Sequence, residues 1–229
     1  MLLQIETMEM AEQAAVMEEP VAASMNLLTM AQYGGWIMVI LALLLAGGIY
    51  LFVERLVVLR KAMQEDKSFM DRIKDYIHEG KMDSAINLCR TTNTPSARMI
   101  EKGISRIGRP MQDVQVAIEN VGNLEIGNLE KGLVIMATIA AGAPMLGFLG
   151  TVLGMVQTFY NMAQNASGVI EMSALSEGMY QAMVTTIGGL IVGILAMFAY
   201  NVLVSRIDSV VRQLEGGTLE FMDLLNEPA

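Results

Sequence analysis

Two long uncharged runs decide the fold of this chain: LVIMATIAAGAPMLGFLGTVLGMVQTFYNM at residues 133–162 and GMYQAMVTTIGGLIVGILAMFAYNVLV at residues 178–204. Each run is longer than the roughly 20 apolar residues that an α-helix needs to cross a bilayer. Between residues 133 and 205 there is no lysine or arginine, and the only acidic residues are Glu171 and Glu177. The two runs therefore predict two membrane-spanning helices joined by a short loop.

Each run also carries small and hydroxyl-bearing residues at steps of three and four, which places them on one face of a helix. The stripe of the first run is Ala140, Ala143, Gly147, Thr151, Gly154 and Thr158, and the stripe of the second is Ala182, Thr186, Gly189, Gly193 and Ala196. A mildly polar face that lines an ion path is one interpretation. Ordinary close packing is the other, because small residues let membrane helices approach each other.

A third uncharged run, at residues 34–53, has the length of one membrane span. Of the 15 basic residues, 13 lie between Arg55 and Lys131, and the other two are Arg206 and Arg212. Basic residues accumulate on the cytoplasmic side of membrane proteins. This asymmetry predicts an external N-terminus, a cytoplasmic central segment and a cytoplasmic C-terminus.

The predicted fold is all-α: an integral membrane protein with three transmembrane helices, the second and third long and extending into a cytoplasmic helical bundle. The predicted segments are an acidic external tail (1–33), the first membrane helix (34–53), a cytoplasmic helical domain (54–131), the second membrane helix (132–162), a short external loop (163–177), the third membrane helix (178–205) and a cytoplasmic C-terminal helix (206–229). From Pro110 the helical pattern runs without interruption into the second membrane run. Asp83 is a predicted helix N-cap, and Thr94-Pro95 is predicted to open another helix.

Several functions are disfavoured by composition. The net charge of −9 and the absence of a basic patch with interleaved aromatic residues argue against nucleic-acid binding. The single cysteine, Cys89, excludes an internal disulfide and a cysteine zinc cluster. His78 and Cys89 are isolated, and there is no phosphate-binding loop or nucleophile elbow. We therefore expect neither an enzyme nor a bound metal or cofactor. A membrane enzyme, as an alternative, would need reactive groups near His78 or Cys89.

The three apolar runs contain no acidic or basic residue, whereas proteins that move ions normally carry ionisable groups inside the bilayer. Threonine hydroxyls and the amide of Gln181 can hold water or relay a proton, but they do not titrate near neutral pH. If this chain conducts protons, an Asp or Glu on a partner's membrane helix must supply the titrating group. Glu177, one helical turn before Gln181, is either a group that gathers cations at an external entrance or a solvated loop acid.

Two motifs resemble those of a known family. The segment ATIAAGAPMLGFLGTVLGM at residues 137–155, and AMVTTIGGL at residues 182–190 followed by Tyr200-Asn201, resemble the MotA/TolQ/ExbB proton-channel family, with ExbB closest. Residues 80–99 are similar to the cytoplasmic loop of ExbB and TolQ, and the likeness covers about residues 30–210. The acidic tail favours ExbB over TolQ, and three membrane runs instead of four argue against the flagellar MotA branch.

The resemblance implies a homo-oligomeric ring, usually a pentamer, in the bacterial inner membrane with a periplasmic N-terminus and a cytoplasmic C-terminus. The ring would surround a dimer of an ExbD-like or TolR-like partner, each chain of which has one membrane helix with an essential Asp. Passage of the transported ion, H⁺, past that Asp would move the partner and drive a TonB-like protein that opens outer-membrane transporters. The pore threonines of the family correspond to Thr151 and Thr186.

The predicted site has two parts. The proton path and pore face comprise Thr151, Thr186, Thr185, Thr158, Gln181 and Glu177, and the helix packing in the pore comprises Gly147, Gly150, Gly154, Gly189, Gly193 and Pro144. Many relatives have Glu at the position of Gln181, and Glu177 is the candidate substitute. The stripes are expected to face the ring interior. Ile191, Ile194 and Phe198 are expected to meet neighbouring subunits or lipid. TolQ-like envelope maintenance, a gliding-type motor stator and a passive membrane scaffold are the alternatives.

Overall fold

The chain forms seven helices over residues 34–63, 68–164 and 172–226, which are the residues that the computed structural model describes. The helices are α1 (Gly35–Met63), α2 (Phe69–His78), α3 (Met82–Thr92), α4 (Pro95–Ile104), α5 (Met111–Leu129), α6 (Leu133–Gln164) and α7 (Met172–Asn226). Every regular element in these ranges is α-helical, so the predicted all-α fold class is confirmed. The predicted acidic tail at residues 1–33 lies outside the described residues.

Three stretches of helix are long and apolar enough to cross a membrane: α1, the consecutive pair α5 and α6, and α7. Helix α6 has 32 residues and α7 has 55, which at 1.5 Å per residue correspond to about 48 Å and about 80 Å. A bilayer core is about 30 Å thick, so α7 extends far beyond it. Its second half packs into the bundle formed by α2 to α5, which we call the polar bundle.

The connection between α6 and α7 is shorter than predicted. Helix α6 continues to Gln164 and α7 begins at Met172, whereas the sequence predicted a loop over residues 163–177. Residues 172–177 contain no proline or glycine that would stop a helix. Glu177 therefore lies within a helix and not in a loop.

The second long helix is interrupted where the sequence predicted continuity. Helix α5 ends at Leu129 and α6 begins at Leu133, and Gly132 between them has φ +88°. Glycine adopts this left-handed conformation without the steric cost that a side chain would bring. The apolar pattern continues across the break because hydropathy does not report a local change in backbone direction.

The polar bundle surrounds one large hydrophobic core. Phe69, Ile73, Ile100, Ile118 and Phe221 are among its large side chains that are at most 2% exposed. Gly103 of α4 makes room for Phe221 of α7, because a Cβ at residue 103 would lie 2.6 Å from the phenyl ring. A smaller core, made of Ile37, Leu41, Ile139, Ala143, Val192 and Ala196, holds the three spans together. Helix α7 contributes to both cores and so joins the spans to the bundle.

Two of the predicted helix starts in the bundle have different outcomes. Thr94 is the N-cap of α4, its hydroxyl accepts a hydrogen bond from the Ala97 amide at 3.3 Å, and Pro95 occupies the first turn, as predicted. The prediction for Asp83 is wrong, because α3 begins at Met82 after Lys81 and its N-cap makes no side-chain hydrogen bond. Asp83 instead lies in the first turn, where its negative charge interacts favourably with the helix dipole.

An ion pair ties α4 to α5. Arg98 donates two hydrogen bonds to the carboxylate of Glu125, at 2.8 Å and 2.5 Å, and one further nitrogen contacts the backbone and side-chain oxygens of Asn93. The side chain of Glu125 is only 13% exposed. Hydrogen bonding to Glu125 raises the pKa of the Arg98 guanidinium. The pair is bidentate, the arrangement in which an Arg–carboxylate contact is strongest.

We expect Glu125→Gln to lower the free energy of unfolding by about 2 kcal/mol, as measured by thermal denaturation of the purified chain in detergent. Breaking a fully buried pair costs about 3–5 kcal/mol, and the loss is smaller here because the Arg98 side chain is 37% exposed. Glu101→Gln is the matched control, since it breaks the more exposed Arg90–Glu101 pair and should cost about 0.5 kcal/mol. If the two variants lost the same free energy of unfolding, the Arg98–Glu125 pair would not be the stronger of the two ion pairs.

Candidate functional site

The two stripes of small residues pack against each other within one chain. A Cβ at Gly189 of α7 would lie 2.6 Å from the Ala143 carbonyl oxygen and 2.7 Å from the Gly147 Cα of α6. A Cβ at Gly147 would likewise lie 2.9 Å from the Thr185 carbonyl oxygen. These neighbours are backbone atoms, so only glycine fits at this approach. We call this region, where Gly147 meets Gly189, the glycine contact.

The other predicted packing residues extend the glycine contact in both directions. Towards the polar bundle, a Cβ at Gly193 would lie 2.4 Å from the Pro144 ring. In the opposite direction, a Cβ at Gly150 would touch the Thr185 side chain, and one at Gly154 would lie 3.1 Å from the Ala182 Cβ. The glycines of the stripes thus occupy the interface between α6 and α7. Their position relative to a pore stays a prediction.

Pro144 leaves one carbonyl of α6 without its usual helical donor. Proline has no backbone N–H, so the carbonyl of Ala140, four residues earlier, lacks that bond. This oxygen faces α7, since a Cβ at Gly193 would lie 3.1 Å from it. The close approach of α7 keeps lipid away from the carbonyl, which is how non-standard backbone is tolerated inside a membrane.

Two of the four predicted threonines are enclosed by the helix pair. Thr185 is 2% exposed and donates to the Ala182 carbonyl at 2.8 Å. Thr158 is 6% exposed and donates to the Gly154 carbonyl at 2.8 Å. Each hydroxyl uses its single proton in its own helix. These two residues therefore act in packing in the single chain.

Thr151 and Thr186 lie at the edge of the glycine contact and are both half-buried. The Thr186 hydroxyl donates to the Gly147 carbonyl of the other helix at 3.2 Å, and the Thr151 hydroxyl donates to the Phe148 carbonyl at 2.6 Å. Both protons are committed, but each hydroxyl oxygen still has lone pairs that can accept a hydrogen bond. The two hydroxyls lie on neighbouring turns of the contact, since Thr151 is one turn beyond Gly147.

Gln181 and Glu177 lie one turn apart on α7 and are exposed. The amide of Gln181 reaches the start of α1, where it lies 2.8 Å from the position of a Cβ on Gly35. Both residues precede Thr186 on α7, and Glu177 adjoins Gly178, where a Cβ would clash with the Thr158 hydroxyl of α6. Exposed apolar side chains cover the outer face of α7, among them Ile191, Ile194 and Phe198.

The two isolated residues of the polar bundle, His78 and Cys89, differ in exposure. Cys89 is fully buried, and desolvation raises the pKa of its thiol to about 12, with the carboxylate of Glu101 acting in the same direction. A nucleophilic cysteine needs the thiolate form, which burial disfavours. His78 is exposed in the last turn of α2. Over the residues that the structure describes, no group of three His, Cys, Asp or Glu side chains could hold a metal ion.

Arg55 is the first basic residue after the apolar run of α1, and its contacts in the structure were not predicted from the sequence. Its side chain is 17% exposed, and its Nε is 3.2 Å from the position of a Cβ on Gly132, at the break between α5 and α6. One of its terminal nitrogens is 3.5 Å from the Asn128 carbonyl. A cation close to the C-terminal end of α5 is favoured by the helix dipole.

A model of the MotA/TolQ/ExbB proton channel family matches residues 91–216, which is more than half of the chain. The chain belongs to this family. The match contains both motifs in which the resemblance was recognised, and it contains Thr151, Thr186 and the glycine contact. The MotA/TolQ/ExbB assignment agrees with three apolar helices of membrane-spanning length, so the protein is a membrane protein.

Individual members of the MotA/TolQ/ExbB family align over different lengths. A Methanothermobacter thermautotrophicus protein, named as a homolog of the biopolymer transport protein ExbB, is 32% identical over 194 residues, or 83% of this chain and 67% of that protein. The Tol-Pal system protein TolQ of Haemophilus influenzae is 25% identical over 78% of this chain and 82% of its own length. The biopolymer transport protein ExbB of Aquifex aeolicus is 40% identical over 34% of this chain and 52% of its own length.

Proposed function

We propose that the chain is the ExbB-like subunit of a proton-driven motor in the bacterial inner membrane. Five copies would form a ring around ExbD-like partner helices, and the motor would energise TonB-dependent transport across the outer membrane. The observation that carries this proposal is a pair of half-buried threonines, Thr151 and Thr186, beside a helix contact in an apolar region that contains no titratable acid or base.

The absence of a titrating group in the spans is the reason for invoking a partner. A threonine hydroxyl can accept a hydrogen bond from water or from a protonated carboxyl, but it cannot release a proton near neutral pH. A carboxylate carried by another chain's membrane helix would supply that step if it moved past the two hydroxyls. An ionisable residue inside a membrane is generally functional and has an identifiable partner.

The proposed orientation rests on charge. Residues 54–131, which comprise the polar bundle and the segments that flank it, contain 13 of the 15 basic residues. The positive-inside rule then places the bundle and the end of α7 in the cytoplasm, with the N-terminus in the periplasm. The ring interior would be bordered by the edge of the α6–α7 pair at which Thr151 and Thr186 are accessible.

The test of this proposal is reconstitution with and without a partner. The chain is co-expressed with the product of a neighbouring reading frame that has one membrane span containing Asp, and proton uptake into vesicles is followed with a pH-sensitive dye. We expect proton flux only when both proteins are present, and none when the partner Asp is replaced by Asn. Full, gated conduction by this chain alone would overturn the proposal.

A passive membrane scaffold is the second candidate, and one observation favours it. The glycines of both stripes are used in the contact between α6 and α7, which is what helix packing alone requires. A scaffold needs the glycine contact but not the hydroxyls of Thr151 and Thr186. Within the family, a TolQ-like role or a gliding-type stator stays an alternative, and it would be distinguished by which single-span partner co-purifies.

A further inference from the structure

An apolar groove opens on the side of the membrane region between α1, α6 and α7. It has a volume of about 380 Å³, and all the residues that line it are apolar. Six of them define its course: Leu45, Gly48, Phe52, Ile139, Leu195 and Val202. The groove therefore runs along the spans and ends near the polar bundle, where α1 and α7 leave the apolar region.

The apolar lining of this groove disfavours water, which gains no hydrogen bonds there, and suits hydrocarbon. The hydrophobic effect does not choose between a lipid chain and a protein helix, since lipid tails are as apolar as leucine side chains. The choice between a lipid and a protein helix as the occupant must therefore come from polar groups at the end of the groove.

Two arginines lie at that end. Arg55 is three residues beyond Phe52 on α1, and Arg206 is four residues beyond Val202 on α7, so each lies one turn past the groove on the face that lines it. Arg206 is exposed. Glu54 offsets part of the charge of Arg55, so the pair of arginines retains a net positive charge even when this carboxylate is counted.

Arg55 has unused hydrogen-bonding capacity. Its Nε is buried and has no hydrogen-bond partner among the described residues. Its other contacts are long, at 3.4 Å to the Glu54 carboxylate and 3.5 Å to the Asn128 carbonyl. The enclosed Nε is out of reach of a lipid on the surface, so a phosphate would bind the two terminal nitrogens of Arg55, which can donate parallel hydrogen bonds to two of its oxygens.

We propose that the groove binds an acyl chain of an anionic glycerophospholipid whose phosphate lies between Arg55 and Arg206. The lipid comes from the leaflet next to the polar bundle, because the arginines border only that end of the groove. Basic residues close to a membrane surface attract anionic headgroups, whereas a zwitterionic headgroup gains less from them. The proposal does not depend on the motor function, since neither Thr151 nor Thr186 lines the groove.

Native mass spectrometry of the full chain in detergent tests the headgroup. We expect one phosphatidylglycerol to be retained per chain and bound about tenfold more tightly than phosphatidylcholine with the same acyl chains. Arg206→Gln should remove most of this preference. Arg212→Gln, which changes an exposed arginine further along α7, should keep it. Equal affinity of the unmodified chain for the two lipids would overturn the proposal.

Two adjacent glycines of α1 test the groove itself. Gly48 lines it, and a Cβ there has ordinary contact distance, 3.8 Å, to Ile139, so Gly48→Leu fills the groove. Gly47 is exposed and has nothing within 4 Å of a Cβ, so Gly47→Leu is the control. We expect Gly48→Leu to lose the retained lipid and Gly47→Leu to keep it, with unchanged helical circular dichroism in both.

Three outcomes would overturn the assignment of the groove. Wild-type lipid retention by a folded Gly48→Leu chain would show that the lipid binds elsewhere. Loss of self-association in Gly48→Leu with unchanged lipid binding would identify a second copy of the chain as the occupant. If Gly48→Leu does not fold, the exposed Arg206 still decides the matter, because wild-type headgroup preference in Arg206→Gln would exclude the proposed phosphate site.

Discussion

Replacing Gly189 with alanine is expected to separate α6 from α7 and to remove most of the assembled protein from the membrane. The added methyl group would lie 2.6 Å from the Ala143 carbonyl oxygen and 2.7 Å from the Gly147 Cα. These backbone atoms cannot rotate away as a flexible side chain can, so one helix must move. Overpacking of this kind costs about 1–3 kcal/mol, and Gly189→Val should cost more. Size-exclusion chromatography and thermal unfolding in detergent measure both effects.

Gly142→Ala is the matched control for this experiment. Gly142 lies in the apolar part of α6, the helix that Gly189 contacts, and a Cβ at Gly142 meets nothing within 4 Å. Alanine is a better helix former than glycine, so this variant should be as stable as the unmodified chain or slightly more stable. If Gly189→Ala assembled and unfolded like Gly142→Ala, the helices could not be in contact at Gly147 and Gly189.

Replacing Thr186 with alanine is expected to abolish partner-dependent proton flux while leaving the complex assembled. The substitution removes one hydrogen bond, the 3.2 Å bond to the Gly147 carbonyl. Hydrogen bonds between membrane helices contribute about 0.6 kcal/mol on average, which is too little to dissociate α6 from α7. Flux should fall more than about tenfold, since the substitution removes the hydroxyl oxygen beside the proposed path of the partner's carboxylate. Thr151→Ala should act in the same way, and Thr186→Ser should restore flux.

Thr138→Ala is the control for the threonine variants. Thr138 is an exposed residue of α6 whose hydroxyl bonds only to the Val134 carbonyl of its own helix. Its loss should change neither assembly nor flux. Normal partner-dependent proton flux in the Thr186→Ala variant would contradict the proposed role of the hydroxyl. Failure of the same variant to assemble, with normal coupling in the residual complex, would favour the scaffold.

The sequence was sufficient for the membrane spans and for the family. The runs at residues 133–162 and 178–204 are uncharged and long enough to predict membrane helices, because transfer into a bilayer depends on the hydropathy of each residue in the run. The same runs carry the motifs in which the MotA/TolQ/ExbB resemblance was recognised, and the family match confirms it. Local signals at Thr94 and Pro95 also predicted the start of α4 correctly, since a cap acts within one turn.

The break at Gly132 could not be predicted in the same way. Apolar residues continue on both sides of it, and a lone glycine is compatible with an uninterrupted helix. Its conformation depends on the neighbouring α1, whose Arg55 occupies the space where a side chain at residue 132 would lie. The loop before α7 was overestimated for a related reason, because polar residues such as Glu177 are as compatible with an exposed helix end as with a loop.

The amino-acid sequence by itself determined how many stretches are apolar enough to cross a membrane, that every lysine and arginine lies between residues 55 and 131 or after residue 205, and that the apolar runs contain no acidic or basic residue. Only the tertiary structure decided which residues of the two stripes meet, that Thr186 bonds to the carbonyl of Gly147, and that a groove lies above two arginines. The physical reason is that the first set of properties depends on single residues, whereas the second depends on residues far apart in the sequence. Transfer into a bilayer depends on each residue's own hydropathy, whereas the register of two packed helices depends on the shapes of both surfaces at once.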